Sequence, residues 1–162
     1  MNVTMWSIRL ALAAYVAATA AWLARRDAPA RALWTAGCGL YLVHVVAAFQ
    51  FVHGWSHTAA YLETARQTAE TVGMNWGGGI YFNYGYTLIW VADVAWWWWR
   101  GLAGYRARPQ WITLAVQGFF AFMFFNGTVV FARGVIRWFG VIASIGLGAM
   151  AVYYHRRTEP AG

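Results

Sequence analysis

Apolar residues along this chain come in long runs, broken by short polar stretches. A run of roughly 20 apolar residues matches the hydrocarbon thickness of a bilayer. Five windows meet that length: Met5 to Ala24, Leu33 to Val52, Ile80 to Trp99, Trp111 to Ala132 and Trp138 to Tyr154. Arg25 and Arg26 follow the first window where a secreted precursor would carry small residues for cleavage, so it reads as a retained helix. The pattern predicts an all-α, polytopic membrane protein, a single transmembrane domain over residues 1–162 with five transmembrane helices.

Only residues 53–79 form a substantial segment between windows. Ser56 is a suitable helix N-cap and Gly73 a suitable stop. Between them Trp55, Ala59, Leu62, Ala69 and Val72 recur near the helical period, and Glu63, Arg66 and Glu70 stand at pairing distance. This predicts an amphipathic helix after the second span, lying on the membrane interface or extending that span. Gly77, Gly78 and Gly79 then read as a turn of positive φ that returns the chain to the membrane. The run WWWWR at 96–100 reads as an interface anchor.

Composition agrees with a lipid environment. Of 162 residues, 61% are hydrophobic and 10% charged, against about 25% charged in soluble domains. The chain holds 12 Trp, a residue that favours the membrane–water interface. Size, span number and tryptophan content resemble the tryptophan-rich sensory protein (translocator protein) family. That family's Pro-rich first loop is absent here, where RRDAPAR stands, and none of its ligand-binding residues is carried over. The lone Cys38 excludes an intrachain disulfide and reads as a small buried residue.

The formal charge of +7 comes from arginines spread over short loops, with no continuous patch for nucleic acid. Eight of the 12 basic residues lie after the first, third and fifth windows, and four on the other side. Positive charge is retained in the cytoplasm. The expectation is therefore a bacterial inner membrane protein, N-terminus outside and C-terminus cytoplasmic, with residues 53–79 on the outer face.

Polar residues at membrane depth are costly and face protein or a water-filled cavity. His44, Gln50, Asp93, Gln117 and Asn126 are the informative ones, with His53 at the edge. If the second helix continues through Gly54, then Gln50, His53 and His57 share one stripe. His44 points elsewhere. Asn83, Tyr86, Trp90, Asp93 and Trp97 share a stripe on the third span, which predicts a polar interface between spans two and three.

Histidines at i, i+4 can hold one metal, so His53 and His57 are candidate ligands, or haem could take an axial histidine. Their alternative is hydrogen bonding in the headgroup layer. The candidate site comprises His44, Gln50, His53, His57, Asn83, Tyr86, Trp90 and Asp93. Asp93 is expected to bond Gln117 or an indole N–H. Three function classes follow: an outer-face binding module for a metal, haem or small amphipathic ligand; a membrane enzyme or redox subunit with His and Asp proton carriers; or a structural subunit packing on other membrane subunits or on itself.

Overall fold

The computed structural model describes residues 2–158. Among them are six helices: α1 (Asn2–Leu23), α2 (Asp27–Ala48), α3 (His57–Val72), α4 (Gly79–Arg106), α5 (Gln110–Phe125) and α6 (Val135–Thr158). A π-helical turn extends α2 over Phe49–His53, and another extends α5 over Asn126–Val130. Short corners make successive long helices antiparallel neighbours. α2 packs on α1 and α4, while α6 packs on α1 and on the π turn after α5.

Aromatic rings fill the centre. Trp34 of α2 lies 5.2 Å from Trp90 of α4 and 4.8 Å from Phe120 of α5, centroid to centroid. Tyr15 of α1 stacks on Phe124 at 4.9 Å. Tilted and edge-on contacts of this kind suit the ring quadrupoles. The α2–α4 contact is therefore aromatic, where the polar stripes predicted a polar one. One direct polar link in it joins Trp90 Nε1 to the Trp34 carbonyl at 3.2 Å. Close approach is set by small residues. A β-carbon at Gly37 would stand 3.0 Å from the Trp90 ring and 3.3 Å from Ala14.

Four helices are long and apolar enough to cross a membrane: Val3–Leu23, Asp27–His53, Gln110–Val130 and Val135–Arg157. The third expected window, within α4, is not among them. Its Trp, Tyr, Asn and Asp residues hold the mean hydropathy down, so length and composition support four spans where five were expected. α4 also runs beyond Trp99. It kinks at Gly101, where φ 68° and ψ −177° leave the helical region, and the chain from Leu102 to Arg108 folds back under the bundle. Trp97 then stacks on Tyr105, 3.9 Å apart and nearly parallel. The anchor reading of WWWWR fails for Trp97, which is buried; Trp96, Trp98 and Trp99 are exposed.

The segment between α2 and α4 forms the helix the sequence predicts. Ser56 Oγ accepts from the Ala59 amide, and Gly73 closes the helix in the left-handed conformation. Its buried face is Ala60, Ala65 and Thr68, while Leu62 and Val72 are exposed. The apolar stripe of α3 thus turns away from the bundle. The glycines at 77–79 do not adopt positive φ. Gly77 lies against Tyr61 and Gly78 against the Trp76 ring, so close that a side chain would collide.

Candidate functional site

Gly54 decides the fate of the histidine stripe. It takes φ 57°, and Trp55 follows at φ 58°. A non-glycine residue in this region is uncommon; here Trp55 Nε1 donates to Gln50 Oε1 at 2.9 Å across the break. The helix stops, so Gln50, His53 and His57 do not share a face. Exposed His57 meets the hydroxyl of Tyr84 at 2.9 Å through Nδ1 and that of Tyr81 at 3.5 Å through Nε2. Half-buried His53 packs edge-on against Phe49. No three His, Cys, Asp or Glu side chains gather to hold a metal among the described residues. Metal binding by His53 and His57 is therefore not shown.

His44 turns toward α1, where its Nδ1 lies 2.9 Å from the Thr4 carbonyl. Beside it opens a cavity of about 360 Å³, bounded by α1, α2, α4 and α5 and reaching up to α3. Tyr41, Tyr86, Trp90, Met123 and Phe124 form its apolar floor. His44, Asn83 and Thr87 stand on its walls, and His53, Glu63 and Gln67 lie near the α3 end. Of the eight residues singled out from sequence, five line this space: His44, His53, Asn83, Tyr86 and Trp90. Gln50, His57 and Asp93 do not.

The eight do not include Tyr41, Thr87, Glu63 and Gln67, which also line the cavity. Tyr41 and Thr87 had a readable signal. Tyr41 precedes His44 by three positions, and Thr87 follows Asn83 by four, so each shares its neighbour's helix face. Glu63 and Gln67 reach the cavity only because α3 folds over it. Glu63 accepts from Arg66 through both oxygens and from Gln67 at 2.8 Å. The bonds from Arg66, then from Gln67, hold its carboxyl at about 2, below the usual 4.5, and the Arg66 charge adds to this. Glu63 is therefore a fixed negative charge at neutral pH.

Asp93 belongs to a second polar cluster at the opposite end of the bundle. Its Oδ2 accepts from the Tyr105 hydroxyl at 2.7 Å, and its Oδ1 accepts from Arg108 Nη1 at 2.5 Å. Both charged side chains are buried, at 3% and 2% exposure. Arg108 also donates to Thr113 and lies over the Tyr105 ring. The expected partner, Gln117 or an indole, is replaced by two groups from the folded-back segment. A buried carboxylate needs a counter-charge more than a neutral donor, and the Gly101 kink brings one within reach. Beside this cluster Arg106 pairs with Asp27 and donates to the Trp22 carbonyl, tying the end of α4 to the α1–α2 corner.

Neither a family model, a curated protein nor a solved structure matches the chain.

Proposed function

We propose that this protein is a five-span membrane binding module that takes a small amphipathic molecule into the cavity beneath α3. The observation that carries this reading is the cavity itself. Its size falls within the range of small-molecule sites, roughly 300–1,000 Å³. It joins an aromatic floor to a rim of few polar groups, the division an amphiphile requires.

α4 serves as the fifth span. From Gly79 to Gly101 it rises about 33 Å, enough to cross the hydrocarbon core. It lies among helices that qualify as spans, and Leu88, Val91 and Phe82 are exposed along it. Exposed tryptophans fall near both ends of the bundle, Trp6, Trp55, Trp76 and Trp138 toward α3, and Trp98, Trp99 and Trp111 toward the α4–α5 corner. Such paired aromatic belts accompany spanning helices. The arginine bias supports an outward α3 end in a bacterial inner membrane.

The test is saturable binding of a small aromatic amphiphile, 2-naphthol, to protein in lipid nanodiscs. Wild type is expected to bind it at one site. Ala48→Phe, which fills the cavity from α2, is expected to abolish saturation and leave only partition into lipid. Identical, unsaturable uptake by both proteins would overturn the reading.

A further inference from the structure

Two polar side chains on the cavity, His44 and Thr87, have their own protons committed elsewhere. The Thr4 carbonyl can only accept, so the short contact at His44 Nδ1 requires the proton on that nitrogen. A neutral imidazole carries one N–H. Its Nε2 is then a lone pair, with no protein partner among the described residues. Thr87 donates its single hydroxyl proton to the Asn83 carbonyl at 2.8 Å, which leaves acceptor capacity on Oγ1, part of it shared with the neighbouring Tyr41 hydroxyl. Gln67 gives one amide proton to Glu63, itself an acceptor, and keeps a second N–H. Deep in the site His44 and Thr87 therefore present acceptors, and Glu63 presents a carboxylate at the mouth.

We infer that the cavity selects an amphiphile bearing O–H or N–H donors, which it offers to His44 Nε2 and Thr87 Oγ1, with its apolar body on Trp90 and Tyr41. The inference rests on the cavity being a binding site and adds the chemical class of what it takes. A ligand whose polar end can only accept, such as an ether or a carboxylate, would set lone pair against lone pair. A carboxylate would also meet the fixed charge of Glu63 at the mouth. Hydroxyl and ammonium headgroups share the required chemistry, and an ammonium gains from the aromatic faces as well.

The experiment compares 2-naphthol with 2-methoxynaphthalene, which keeps the ring system and lacks the donor. Binding is measured by calorimetry in nanodiscs of neutral lipid. The naphthol is expected to bind roughly fivefold more tightly, the worth of about one net hydrogen bond. Thr87→Val, close in volume, and His44→Ala are each expected to narrow that ratio while the ether's own affinity changes little. 2-Naphthylmethylammonium is expected to bind, and 2-naphthoate to be excluded. Equal affinity for naphthol and ether, or preference for the ether, overturns the donor inference and leaves the cavity reading standing. If none of the four binds saturably, both readings are overturned.

Discussion

Asp93 and Arg108 are the residues whose removal most sharply separates charge from packing. A lone carboxylate at membrane depth costs at least about 2.5 kcal/mol. Breaking a buried ion pair from one side costs about 3–5 kcal/mol, whereas replacing both members with apolar residues is often close to neutral. Arg108→Met is therefore expected to lower the unfolding midpoint steeply, and Asp93→Leu to do so by a comparable amount. The double variant is expected to recover most of the loss, as read by thermal unfolding in detergent. Losses that simply add would show that the two side chains act independently. The sequence marked Asp93 as costly and inward-facing, which the burial bears out. Its partner was hidden, because Arg108 sits in a loop-like stretch and was counted among the cytoplasmic positive charges. A pattern along one chain reports which way a residue faces, not which distant residue meets it.

At the scale of the element, α3 and the break before it depend on local chemistry. Gly54 has open space around it but a left-handed backbone. Gly54→Ala is expected to cost about 1 kcal/mol, since the methyl group strains that conformation, and the loss would appear as a lowered melting point. A helix continuous through Gly54 would have given the opposite sign. Glu63 sets the pH response of α3. Its folded pKa is depressed, so the stabilisation it provides is present above pH 4.5 and is lost as pH falls toward 2. Hydrogen-exchange protection of α3, corrected for intrinsic rates, is expected to hold above that window and decline within it. Glu63→Gln is expected to remove the decline. The effect is small, because these pairs are largely solvent-exposed. Both caps of α3 were legible from single residues, Ser56 and Gly73. The break at Gly54 was not, since glycine is compatible with a helix and only the Trp55–Gln50 tie and the packing of α3 decide otherwise.

For the whole molecule, the hydrophobic pattern located α1, α2, α5 and α6, with ends displaced by up to about seven residues. It gave α4 the right core stripe of Tyr86, Trp90, Asp93 and Trp97 but ended it before the fold-back. The cavity was half legible, through residues lying on the helices that wall it. Its lid was not, because α3 buries small residues and leaves its larger apolar ones outside. Orientation is open to direct labelling. Thr71 and Ala103 are exposed on opposite ends of the bundle, and the native Cys38 is buried. Cysteine at Thr71 is expected to react with an impermeant thiol reagent in intact cells, and cysteine at Ala103 only after lysis. The reverse pattern would place the cavity mouth in the cytoplasm.

The Gly101 fold-back also bears on the order in which the chain is made. Asp93 leaves the ribosome before Arg108, which follows 15 residues later. On the five-span reading, α4 carries an uncompensated carboxylate until then, and it is the one long helix that does not qualify as a span by composition among the described residues. Its commitment to the bilayer is then tied, on that reading, to synthesis of the next corner. Nascent chains stalled with Tyr105 just outside the ribosome are expected to hold α4 loosely, and chains extended past Thr113 to hold it firmly. Glycosylation sites placed before Gly79 would report the difference, and Asp93→Leu would erase it.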